Sequence, residues 1–136
     1  MNPIVEFRTP TVEEYQELRG TTNWDKIDDS LIATALINTK FGVCITDGYK
    51  VIAMGRIIGD GIYFYIQDVI VSPNFKQKGI GSRVMQELEN WLDKTSQPNT
   101  FIGLMAAKGT FEFYRNFDYR IRDIDKPGMF KIKKIG

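Results

Sequence analysis

Histidine is absent from all 136 residues. That removes the side chain most often used as a general base near neutral pH, and the commonest zinc ligand. Catalysis, if any, falls to carboxylates, tyrosines, backbone groups or water, and no metal is expected. Cysteine occurs once, at Cys44. One thiol cannot form an internal disulfide and suits a reducing, cytoplasmic setting. No apolar run approaches the ~20 residues that a membrane helix needs. The opening MNPIVEFRTP lacks the cationic start and long apolar core of a signal peptide. The net charge is only +1, so no global field advertises a nucleic acid or membrane partner, and an anion site must come from local clustering.

What is present suffices for a packed core. With 43% apolar residues the chain does not read as disordered, and its length fits one domain, residues 1–136. Ile4–Arg8 reads as a strand. Thr11 caps a helix ending near Gly20, with Glu14 completing a capping box. A second helix is expected over Asp28–Asn38, with Leu31, Ala35 and Leu36 on one face. Strands Phe41–Thr46 and Val51–Ile58 meet through Asp47-Gly48, a hairpin signal. Gly59-Asp60-Gly61 leads into Ile62–Val71, whose nearly continuous apolar run predicts a central strand buried on both faces. A helix from Gly79 to about Lys94 carries Ile80, Val84, Leu88, Trp91 and Leu92 on one side. Phe101–Ala106 is the next strand and Thr110–Asn116 a short helix. Tyr119–Asp123 and Met129–Ile135 complete the expected strands. The order predicts an α/β (α+β) fold: a mixed, mostly antiparallel sheet of about 6–7 strands with helices on both faces.

The stretch VSPNFKQKGIGSR concentrates charge. Lys76, Lys78 and Arg83 lie between Ser72 and Arg83 with no acid among them. Gly79 and Gly81 open the following helix, where glycine admits a ligand close to the backbone and free N–H groups face an anion. A phosphate is the natural guest; a plain glycine turn with a solvated basic face is the alternative. No Gly-Lys-Ser/Thr is present, so this is not a P-loop. The third glycine of a dinucleotide fingerprint is missing, and the loop follows the fourth strand rather than the first. A CoA pyrophosphate remains.

These residues resemble the GNAT superfamily of acyl-CoA N-acyltransferases. Its signature is Gln/Arg-x-x-Gly-x-Gly/Ala at a strand-to-helix junction, after a strand ending in Val-x-Val. Val69-Ile70-Val71 supplies the strand end, and Lys76-Gln77-Lys78-Gly79-Ile80-Gly81 the loop, with Lys76 where Gln or Arg is usual. FYRNFDY supplies the family's second motif as Phe113-Tyr114 and Asp118-Tyr119, with Asp118 in place of a glycine. The LRGTTNW, GRIIGDG and DKPGMF stretches look like a small bacterial subgroup of this superfamily.

The resemblance implies acetyl-CoA as acyl donor, a sheet splayed between its fourth and fifth strands, and direct attack by an amine in a ternary complex. It implies CoA contacts from Val69, Ile70 and Val71, from Lys76 through Arg83 (Gln77, Lys78, Gly79, Ile80, Gly81 and Ser82 between them), and from Tyr114. Backbone N–H groups of Val69 and Val71 would meet the thioester and pantetheine. Tyr114 would be the general acid, against a plain core tyrosine beside Phe111, Phe113 and Phe117. Asp68, an acid inside an apolar strand, is the first candidate for a base acting through water; it could instead bind loop backbone. Glu112 is the second candidate. Family geometry nominates Arg19, Asn23, Trp24, Met54, Arg56 and Gln67 for the acceptor cleft. Arg56 would either pair with Asp60 or receive an acceptor carboxylate. Trp24 would otherwise be a hydrophobic lid or subunit contact. Acceptors would be small amines, amino acids or peptide amines, and a homodimer is compatible with the exposed strand edges. Cys44 reads as core. Lys131, Lys133 and Lys134 read as the solvated face of a strand rather than a nucleic-acid patch. A non-catalytic acyl-CoA-binding module on the same fold is the alternative reading.

Overall fold

A computed structural model describes residues 2–134. It divides into two compact units, one reaching to Met105 and the other beginning at Ala106.

The first unit holds one five-stranded sheet. Its strands β1 (Ile4–Glu6), β2 (Phe41–Thr46), β3 (Val51–Gly59), β4 (Tyr63–Val71) and β5 (Phe101–Leu104) lie side by side in that order. The first three pairings are antiparallel and β4–β5 is parallel, so the sheet is mixed and mostly antiparallel, as expected. Asp47 fixes the β2–β3 turn by accepting from the N–H groups of Tyr49 and Lys50. Asp60 does the same for Ile62 and Tyr63 between β3 and β4. Both are short turns that the sequence marks with Asp and Gly.

Helices cover both faces. α1 (Val12–Arg19) begins at the predicted capping box, with Thr11 and Glu14 bonding each other's backbone. With α2 (Asp29–Ile37) it buries Tyr15, Leu18, Ile32 and Leu36 against Cys44, Met54 and Ile70. α3 (Ile80–Thr95) covers the other face, burying Ile80, Val84, Met85, Leu88 and Leu92. Adjacent residues of β3 divide the two sides: Met54 joins the α1–α2 core, while Gly55 faces α3. A Cβ at Gly55 would lie 2.7 Å from Val84 and 3.0 Å from Leu88, so the missing side chain is what lets α3 lie this close. Trp91 of α3 stacks on Phe41 at 5.4 Å and meets Phe64 edge-on.

Four expectations need correction. On α2 the buried face is Ile32 and Leu36, while Leu31 is 61% exposed. β4 is not buried on both faces, because Tyr63 and Tyr65 stand exposed beside Phe101. β5 ends at Leu104, not Ala106. The sheet has five strands rather than six or seven: residues 119–134 of the second unit form no strand. Alternation of Lys with Phe and Ile gives a strand pattern there, but a strand needs ladder partners, and Ile121, Ile124, Met129, Phe130 and Ile132 remain exposed. Ile135 lies outside the described residues.

Candidate active site

The sheet itself creates an open edge. β5 pairs with β4 only from Tyr63↔Phe101 to Ile66↔Leu104, yet β4 continues to Val71. Just past the last pair, Asp68 and Val69 together oppose the single residue Gly55 of β3, a β-bulge. Asp68 takes φ 56 to make it, a left-handed conformation that Asp tolerates better than most side chains. Beyond the bulge the ladder to β3 resumes, and Ser72 donates to the Ile52 carbonyl at 2.8 Å. Backbone groups alternate in direction along a strand. Val71, and by the same alternation Val69, therefore turn their N–H groups to the edge that β5 has left.

The chain then turns through Pro73–Phe75 into the basic loop. Gln77 and Gly79 take positive φ, 63 and 78. Gly79 caps α3 with no side-chain hydrogen bond, and the first turn contains no acid. The first N–H groups of a helix have no intrahelical acceptor, so this terminus presents donors and a partial positive charge. A Cβ built on Gly79 meets nothing within 4 Å. A cavity of about 270 Å³ opens here, lined by Lys78, Gly79, Ile80, Ser82 and Arg83 together with Pro3 and Val5. Lys76 and Lys78 make no ion pair among the described residues, whereas Arg83 pairs with Glu87 one turn along. These features fit a phosphate group: open donors, bare glycine and unspent cations. A larger cavity, about 720 Å³ between α1 and α2, includes none of the residues nominated from sequence.

On the α1 side of β4 lies a charged cluster. Asp68 Oδ2 accepts from Arg56 Nε at 2.7 Å, and Asp68 Oδ1 sits 3.8 Å from Arg19 Nη1. The three side chains are 9%, 12% and 14% exposed. Arg19 also donates to the Tyr15 hydroxyl and the Asp25 carbonyl, and Arg56 donates to the Thr39 hydroxyl. Burial first, and then the Asp68 carboxylate, push the Tyr15 phenol up from its ordinary range, with Arg19 partly opposing. Trp24 lies against the Arg19 guanidinium, 5.3 Å from ring centre to the guanidinium carbon. Five nominated residues therefore converge: Arg19, Trp24, Arg56, Gln67 and Asp68, with Gln67 opposite Arg56 in register. Asn23 stands exposed in the neighbouring loop. Met54 does not join them, being 1% exposed within the core. Arg56 takes Asp68 as its partner rather than Asp60, whose oxygen is held by its own turn.

In the second unit, α4 (Phe111–Arg115) carries Tyr114 between Phe113 and Tyr119, at 5.0 and 6.5 Å. Burial pushes its phenol up, so it holds its proton through neutral pH. Asp118 adopts φ 69, the conformation for which a glycine is usual. Glu112 is exposed and bonded to Arg115.

A family model described as acetyltransferase (GNAT) family matches residues 5–119. The chain belongs to this family. A Staphylococcus aureus protein of unknown function shares 26% identity and a TM-score of 0.91, over 97% of this chain and 100% of that one. A GNAT-family acetyltransferase from Streptococcus pneumoniae TIGR4 shares 24% identity and a TM-score of 0.82, over 98% and 100%. The fold also matches AAC(6')-Iy in complex with the bisubstrate analogue CoA-S-monomethyl-acetylneamine, at 12% identity and a TM-score of 0.69 over 99% and 100%. A comparison with curated proteins found no match.

Within this GNAT chain, sequence reading missed Tyr15 and Thr39, which hold the two arginines. Tyr15 was findable, because it sits one helical turn before Arg19 on α1. Thr39 was not, since its contact with Arg56 spans a strand and a turn.

Proposed function

We propose that this chain is an acetyl-CoA-dependent N-acetyltransferase, moving an acetyl group to a primary amine by direct attack in a ternary complex. One observation carries the reading. β4 outlasts β5, so donor N–H groups stand on an open edge that leads directly into the bare-glycine turn before α3. Bound acetyl-CoA supplies the thioester whose acyl group is transferred. The N–H groups of Val69 and Val71 are assigned to its carbonyl and pantetheine arm, and a donor of this kind contributes about 3 kcal/mol to the transition state. The turn from Lys76 to Arg83, with the first N–H groups of α3, is assigned to the pyrophosphate.

Tyr114 is assigned as the acid that gives the leaving sulfur its proton, to be replaced from water. Its raised phenol keeps it loaded at neutral pH. The base assignment changes. Oδ2 of Asp68 is taken by Arg56 and Oδ1 faces Arg19, so this carboxylate serves as the anchor of two guanidiniums rather than as a proton acceptor. The amine is then drawn from its own neutral fraction, about one part in a thousand at pH 7 for a pKa near 10. Its displaced proton passes to solvent.

The test is Tyr114→Phe, measured for acetyl-CoA turnover and for CoA affinity by calorimetry. Turnover should fall by about 10²–10⁴ with affinity retained. Unchanged turnover would remove Tyr114 from the mechanism. CoA binding by the wild type with no turnover on any amine would favour the binding-module reading.

A further inference from the structure

The cluster around Asp68 carries an unbalanced charge. Two guanidiniums, +2, face one carboxylate, −1, so the three side chains sum to +1. All three are largely withdrawn from water, where an uncompensated charge costs free energy unless an anion meets it. The other partners are neutral: the Tyr15 and Thr39 hydroxyls and the Asp25 carbonyl. Among the described residues their bonds, with Asp68's, engage Nε and Nη1 of each arginine, and neither Nη2 makes a hydrogen bond. The arginines are thus fixed in place before a ligand arrives, which lowers the ordering cost of binding it. Trp24 is 39% exposed beside Arg19 and offers an apolar wall. Asp68 is also the residue immediately before Val69, so the excess charge lies next to the open edge of β4.

We propose that Arg19 and Arg56 form an anion subsite for the acceptor, which is an amine carrying a carboxylate or phosphate group. Arg19 supplies the unbalanced charge, because Arg56 and Asp68 neutralise each other at 2.7 Å. Asp68 is a positioning residue that aligns both guanidiniums. The proposal rests on the N-acetyltransferase reading and names the substrate class of that site.

The experiment titrates the full chain by calorimetry with 4-aminobutyrate, 2-aminoethyl phosphate and butylamine, with and without CoA. Acetyl-CoA turnover is measured on the same three amines. At least one anionic amine should bind about tenfold or more tightly than butylamine, the worth of a single charge-assisted hydrogen bond. Whichever of the two binds better identifies carboxylate or phosphate as the source of the charge. Arg19→Gln leaves the Arg56–Asp68 pair balanced and should abolish the preference for an anionic amine over butylamine, while Arg19→Lys restores part of it. If the variants do not fold, the wild-type preference alone decides. Preferential binding without turnover would keep the subsite and overturn the transferase reading. Turnover with butylamine matching the anionic amines would keep the transferase reading and overturn the subsite. Binding of none of the three would overturn the subsite as well.

Discussion

Replacing Gly79 with alanine separates backbone strain from ligand exclusion. Gly79 sits at φ +78, where a side chain costs about 1–2 kcal/mol. No atom lies within 4 Å of the added Cβ, so no clash adds to that cost. A loss of about 1 kcal/mol should lower the melting temperature by about 4 °C in a chain of this size. The same methyl group would stand in the open space before the α3 donors, where the proposed pyrophosphate would approach the backbone. CoA affinity should therefore fall by at least about tenfold, one lost charge-assisted contact. Gly48 provides the control: it has φ +99, its Cβ also meets nothing within 4 Å, and it lies in the β2–β3 turn. Gly48→Ala should cost similar stability and leave CoA affinity unchanged. Thermal denaturation and calorimetry of both variants decide the matter. Equal CoA affinity in the two would refute the placement of the pyrophosphate at this turn.

Gly55→Ala should destabilise the first unit by about 1–3 kcal/mol through overpacking against Val84 and Leu88; urea unfolding should show a smaller loss when the change is made in a Val84→Ala background. Glu14 is held below the ordinary glutamate value of 4.5, first by its hydrogen bond from Arg8 and, against the opposing effect of burial, by bonds from Thr11. A depressed carboxylate stabilises the fold above its unfolded pKa, and that contribution disappears as pH falls through the folded value. Stability of the wild type should thus decline below about pH 4.5, and Glu14→Gln should be less stable at pH 7 and show a shallower decline in acid unfolding.

The parts of the fold written in local chemistry were legible. Thr11 and Glu14 announce the start of α1, and Asp47 and Asp60 with their glycines announce two turns. The basic loop was legible because charge, glycine and a strand end fall within a few residues. Periodicity failed on α2, where DSLIATALI is apolar nearly all round and only packing selects Ile32 over Leu31. It failed on β4 because Tyr63 and Tyr65 count as apolar yet stand at an exposed face. The C-terminal runs have strand pattern without a ladder to join. The bulge at Asp68 left no residue signal, since left-handed backbone there falls on Asp rather than Gly. An apolar strand containing Asp suggested a base, and the two arginines that pair with Asp68 come from different elements, a meeting the sequence does not display.

The most direct test of acetyl transfer is to incubate the chain with acetyl-CoA and a panel of primary amines, following free thiol by absorbance and product by mass spectrometry. Acceptor-dependent thiol release is expected, matched one-for-one by an N-acetylated amine, with the rate rising with pH below the acceptor's pKa as its neutral fraction grows. Thiol release that does not depend on the amine, or CoA binding with no acetylated product from any member of the panel, would contradict it.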